Sequence, residues 1–261
     1  MAAGSPTQII MAITLEDFED LVFTYARTHG QPFIKWSERA KLRAFIGREL
    51  QQIMEEKKLL YDDNITFDTA STDNGVYNLM AADTYVSTAR TALNGSTVYV
   101  QILQPEYVSI EDSVLLGPNG KPGFWSVADA SKQLWYDFRT VADAQPQYAV
   151  LIPPYFMRLF PGPSATFDVT VAGWIQHFDI AEDGTADTKE LWLDAGSVNG
   201  AAQAIAGSLC LVGAEGAGVQ AAGALKQLGM DALTKAQGRA ASLLQGQKIR
   251  GANYKRTVNL S

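Results

Sequence analysis

The sequence predicts an α+β protein, and three observations along the chain predict it. Apolar residues recur at helical spacing over residues 14–58. Short β-branched and aromatic runs, cut by turn signals, fill residues 97–175. A proline-free stretch, residues 198–246, then holds 13 Ala and 9 Gly, the composition of closely packed helices. The order is an N-terminal helical hairpin, a central antiparallel β sheet or small barrel, and C-terminal Ala/Gly-rich helices followed by an extended tail. The corresponding segments are 1–62, 63–180, 181–246 and 247–261.

The first helix is expected over 14–29. Thr14 can cap its N-terminus with Asp17 three residues on, and Leu15, Phe18, Leu21, Val22 and Tyr25 share one face. Gly30 and Pro32 stop it. The second runs from Ser37 to about Lys58, with Leu42, Phe45, Ile46, Leu50, Ile53 and Met54 on its apolar side. Residues 62–96 read as polar and turn-rich (Asp62-Asp63-Asn64, Asp73-Asn74-Gly75, Asn94-Gly95), with a short helix around 79–92.

The β region offers strands at Thr97–Leu103, Gly123–Val127, Gln133–Phe138, Tyr148–Ile152, Phe156–Phe160 and Thr166–Ile175. Eight of the ten prolines lie between 105 and 163, which suits antiparallel pairing and not a parallel βαβ sheet. After the acidic linker Glu182–Asp194, two or three helices are expected, breaking near Gly213–Gly218 and at Gly229. Each interior Gly costs a helix roughly 1 kcal/mol relative to Ala, so these helices need close neighbours.

Composition narrows the function classes. The single cysteine, Cys210, excludes an internal disulfide and a Cys-based zinc site. His29 and His177 are the only histidines. His29 precedes the glycine ending the first helix, where a cation is favourable. His177 stands near Asp179, but no nucleophile motif accompanies the pair. Glu16/Asp17, Glu55/Glu56, Asp62/Asp63 and Glu182/Asp183 read as solvated surface. No catalytic residue, cofactor or metal is expected. No targeting signal is apparent: the first ten residues lack Lys and Arg, and Met11 offers a second start after a loosely held leader.

Two motifs fail on inspection. The run Leu211 to Ala222 resembles a dinucleotide fingerprint. In one register, however, Glu215 sits where a glycine must admit pyrophosphate, and in the other the preceding strand is lost. Residues 200–225 carry one formal charge, but Glu215, Gln203 and Gln220 and the scarcity of large apolar side chains argue against a membrane span.

Charge is unevenly spread. The chain is −7 overall. From Lys226 onward there are seven basic residues against one acid, Asp231, giving +6 there and −13 before it. Lys248, Arg250, Tyr254, Lys255 and Arg256 mark the tail as an interaction arm. One reading docks it on an acidic protein surface, another on nucleic-acid phosphates, and a third leaves it solvated.

The segment Ile34-Lys35-Trp36-Ser37-Glu38-Arg39-Ala40-Lys41-Leu42-Arg43-Ala44-Phe45-Ile46, continued by Arg48-Glu49-Leu50-Gln51-Gln52-Ile53, resembles the Trp-Ser helix opening of tailed-phage head–tail adaptor (connector, head-completion) proteins. The upstream Thr14-Leu15-Glu16-Asp17 helix is placed similarly. So is the later order of Phe156–Phe160, a Pro-Gly-Pro turn, Thr166–Trp174, an acidic loop and Leu191-Trp192-Leu193 before Ala-rich helices. The likeness is tight over about twenty residues of helix opening and otherwise one of arrangement. It implies a non-catalytic virion protein, assembled in the host cytoplasm and forming a ring, usually twelve-fold, at the head–tail junction. The implied partners are the portal, tail or nozzle proteins, other copies of the chain, and genomic DNA passing without sequence-specific binding; no membrane is involved. Its C-terminal arm would grip acidic portal surface. The alternatives are a tail or baseplate component and, from another class, a cell-wall hydrolase or nucleotide-cofactor enzyme.

Overall fold

A computed structural model describes residues 13–28, 39–69, 75–81, 83–128, 130, 145–177, 190–212 and 217–257. The fold is α+β, and the chain divides into two compact units, residues 1–60 with 179–261 and residues 61–178.

The first unit is helical. Strand β1 (Ile13–Thr14) pairs antiparallel with β11 (Glu190–Leu191), joining the two chain segments of the unit. Helix α1 (Leu15–Thr28) starts where Thr14 caps it: the Asp17 amide donates to Thr14 Oγ1 at 3.1 Å, and that hydroxyl donates to Asp17 Oδ2 at 2.8 Å. Leu15, Phe18, Val22, Phe23 and Ala26 form its buried face. Helix α2 (Arg39–Lys57) buries Ile46, Leu50, Ile53 and Met54. A bidentate ion pair ties the two: Arg43 Nε donates to Glu19 Oε1 at 2.7 Å and Arg43 Nη2 to Oε2 at 3.1 Å, with Glu19 fully buried. Ser37, Gly30 and Pro32 lie outside the described residues.

Helix α4 (Ala195–Val212) is capped by Asp194, whose carboxylate accepts from the amides of Gly196 and Ser197 and from the Ser197 hydroxyl. Most of α4 is buried. Helix α5 (Ala217–Thr257) packs antiparallel on it through Ala222, Leu225, Leu233 and Ala236. The expected break falls between Val212 and Ala217; the expected break at Gly229 does not occur. There a side chain would collide with the Ala204 backbone on α4, so the glycine serves close approach rather than termination.

The second unit is built from β-strands and one short helix. β2 (Leu60–Asp68), β4 (Tyr85–Ser87), β5 (Tyr99–Ile110) and β10 (Asp168–His177) are hydrogen-bonded in the order β10-β2-β4-β5. β10 also pairs antiparallel with β5, closing a small four-stranded barrel, and β6 (Ser113–Val114) extends it from β5. Register shifts in the β10–β5 ladder flank Gly173. A Cβ there would stand 2.7 Å from Pro105 Cα, so the bulge requires glycine opposite the strand proline.

A second sheet runs β3 (Val76–Asn78), β9 (Phe156–Phe160), β8 (Tyr148–Ile152), β7 (Trp125–Ser126). Its β7–β8 pair is parallel, a departure from the expected all-antiparallel arrangement. Phe67 lies 5.1 Å, ring centre to ring centre, from both Tyr77 and Tyr85, joining the two sheets in one core. The proposed strand Gln133–Phe138 lies outside the described residues.

Part of the supposedly turn-rich segment is strand. Asp62, nearly buried in β2, accepts from the Ser87 hydroxyl at 2.5 Å, from the Asn64 amide at 3.0 Å, and from Arg90. Ser87 in turn caps α3 (Thr88–Asn94), which replaces the helix expected over 79–92. Burial pulls the Arg90 guanidinium below its usual range, and the Asp62 charge opposes that shift. The polar triplet is therefore part of a strand rather than a turn, with Asp62 buried in a satisfied network and Asp63 and Asn64 exposed.

Candidate functional site: the projecting end of the last helix

The five arm residues fall on α5, whose backbone is helical through Thr257. The expectation of an extended tail over 247–261 is corrected for residues 247–257. Gln247, Lys248, Arg250, Ala252, Lys255 and Arg256 are good helix formers, and no proline follows Pro163. Four cations near a helix C-terminus also complement its dipole.

Small residues set the geometry of the α4–α5 contact. Gly200 on α4 faces Gly229, Ala232 and Leu233 on α5, and Gly207 faces Lys226. Arg239 lies beside Gly196, the second residue of α4, and its guanidinium stands 3.7 Å from the Asp194 carboxylate. Residues 240–257 thus run past the start of α4, and at 1.5 Å per residue they span about 27 Å. Lys248, Arg250, Tyr254, Lys255 and Arg256 all sit on this projecting end.

Division of the charge by unit sharpens the picture from sequence. Residues 61–178 contain twelve acidic and five basic residues, so the β unit alone accounts for the net −7. The helical unit holds sixteen of each sign and is neutral overall. Within it, the +6 of α5 is offset by an equal excess of acid elsewhere.

Among the described residues the other sequence candidates do not converge on a site. Cys210 is buried on α4, where its thiol donates to the Ala26 carbonyl at 3.7 Å and burial pushes its pKa up. His177 ends β10 opposite Val100, while His29, Asp179, Glu182, Asp183 and the glycine segment 213–216 lie outside the described residues. What precedes that glycine segment is helix α4, not the strand a dinucleotide fingerprint requires. Among the described residues no group of three His, Cys, Asp or Glu side chains is placed to hold a metal ion. One described helix, Ala195–Val212, is long and apolar enough to cross a membrane by length and composition, and 67% of it is buried inside the protein.

Sequence reasoning missed the Asp62–Ser87–Arg90 network and the Glu19–Arg43 pair, because neither pairing leaves a local spacing signal. Comparison of the chain with protein-family models and with curated proteins gave no match.

Proposed function

We propose that this chain is a structural, non-catalytic virion protein of a tailed phage. In this reading copies of it form a ring adaptor between portal and tail, around the path by which DNA leaves the head. The observation that carries the reading is α5, a 41-residue helix that packs on α4 through glycine and alanine and then projects beyond it with a cluster of cations. An arm of that kind suits attachment to an acidic protein surface, and repetition around a ring would multiply weak individual contacts by raising their effective concentration. The acidic β unit supports passage of DNA beside it, since like charge disfavours phosphate contact. The resemblance of the α2 opening to the adaptor family supports the same assignment.

Truncation after Gly246 tests the reading. The truncated chain should keep the melting temperature of the full chain and lose binding to purified portal oligomer. Undiminished binding by the truncated chain would refute the arm's role.

A further inference from the structure

Strand β6 continues into a hairpin that turns apolar side chains to solvent. Along it Val114 is 44% exposed, Leu115 5% and Leu116 43%, the alternation of a strand with one side buried and the other open. Leu116 pairs with Pro122 on the returning segment, and Val114 pairs with Ser109 on β5. The Leu115 amide donates to the Val108 carbonyl at 2.9 Å, so the same register sets Leu116 beside Tyr107. Ser109 and Tyr107 in turn lie opposite Thr170 and Ala172 on β10. One outer face of the β unit therefore runs through Pro122, Leu116, Val114, Tyr107, Ser109 and Thr170, and none of these residues is charged.

Hydrogen bonds hold the hairpin in shape. The Gly117 amide donates to the Lys121 carbonyl at 2.8 Å, the Gly120 amide to the Gly117 carbonyl at 3.0 Å, and the Trp125 indole N–H to the Leu116 carbonyl at 3.0 Å. Charge is sorted to its two ends. Lys121 is the only charged residue from 113 to 128, in a unit of net −7, and it stands exposed beside the tip. At the other end Glu111, Asp112 and Asp168 are exposed, where β5 turns into β6 and the Glu111 amide donates to the Asp168 carbonyl at 3.1 Å. Residues 113–117 separate the two ends by about 17 Å of strand. Glu106, half-buried on β5, accepts from the Tyr61 hydroxyl at 3.3 Å.

We infer that this face pairs with the same face of a second copy of the chain, the two hairpins lying antiparallel about a two-fold axis. The occupant follows from the order of the charges, because the face is complementary to itself. A two-fold axis through its middle lays Lys121 of each copy against the acidic end of the other and covers Val114 and Leu116 in both. Parallel pairing sets acid against acid and cation against cation. The patch is small for an interface, so the pairing is weak and depends on concentration. It is independent of the adaptor reading, since a two-fold contact closes on itself and builds no ring.

Sedimentation equilibrium of the full-length chain at about 0.15 M salt, over loading concentrations from about 1 μM to about 1 mM, tests the inference. The expected result is a monomer–dimer equilibrium. Leu116→Asp should weaken it about tenfold or more with the melting temperature unchanged. Leu93→Asp alters a residue 71% exposed on α3, which leads into the opposite end of β5, and should leave it within about twofold. Lys121→Glu should weaken dimerisation about threefold or more, and adding Asp112→Lys should restore it to within about twofold of the parent chain. A chain that stays monomeric throughout, dimers indifferent to Leu116→Asp, or failure of Asp112→Lys to rescue overturns the two-fold pairing. Larger closed oligomers indifferent to Leu116→Asp also overturn it, and leave the adaptor reading standing.

Discussion

Gly207 on α4 lies against the backbone of Lys226 on α5: a Cβ at position 207 would stand 2.6 Å from the Lys226 nitrogen and 2.7 Å from its Cα. The two helices approach as closely as they do because this and the neighbouring contacts lack side chains. Gly223 and Gly238 share helix α5 but have nothing within 4 Å of an added Cβ.

Alanine at these glycines should therefore give opposite signs. Gly207→Ala gains helix propensity of about 1 kcal/mol but forces backbone apart, and overpacking of about 1–3 kcal/mol wins, so stability falls. Gly223→Ala and Gly238→Ala keep only the propensity term and should each stabilise by roughly 0.5–1 kcal/mol. Urea unfolding of the three variants decides the matter. Stabilisation by Gly207→Ala would mean the helices do not touch there.

The Glu19–Arg43 pair predicts an asymmetry of a different kind. Removing the cation alone, as in Arg43→Ala, leaves a carboxylate fully buried and should cost about 3–5 kcal/mol. Replacing both partners with apolar residues, Glu19→Leu with Arg43→Met, should cost much less than the single change. A double change as damaging as Arg43→Ala would show that the charges, not the burial, hold α1 to α2.

Alkaline stability should be set in part by Tyr85. Its phenol is fully buried and donates to the Asn78 carbonyl at 3.0 Å, and burial pushes its pKa well above the ordinary 10.0. Tyr61 shifts the same way, first through burial and then through the Glu106 carboxylate. In the folded chain these phenols keep their protons at pH values where the unfolded chain has lost them. Stability is thus unaffected below about pH 10 and falls as pH rises above it. Tyr85→Phe gives up a hydrogen bond of about 1 kcal/mol at neutral pH and should flatten the alkaline decline. Unfolding followed against pH by the phenolate absorbance band measures both effects, and an identical slope in the variant would contradict the assignment.

Cys210 gives an independent probe of the helical core. Its thiol is buried and its pKa is raised by burial, so disulfide-exchange reagents should label it only as fast as the α1–α4 contact opens. Labelling of the native chain at the rate of a free thiol would place α4 at the surface.

Punctuation made parts of the chain legible from residues alone. Tyr148–Ile152 and Phe156–Phe160 end where Pro153-Pro154 and Pro161 forbid further pairing, and both strands fall where expected. Thr14 and Asp17 likewise place the start of α1. The misreadings arose where a local signal is answered by a distant partner. Asp62-Asp63-Asn64 carries the composition of a turn, and only Ser87 and Arg90, folded beside it, make a strand of it. Gly229 carries the signature of a helix end, and only α4 explains why the helix continues. The arm's residues were legible as a charge cluster. Their helical arrangement was not, because residues 247–257 carry no apolar periodicity of their own.

Electron microscopy of the purified chain mixed with portal oligomer at low salt tests the central claim most directly. The adaptor reading predicts closed rings of this protein on one face of the portal, with the end of α5 reaching into it. Portal particles free of added density, with the chain remaining monomeric beside them, would contradict it.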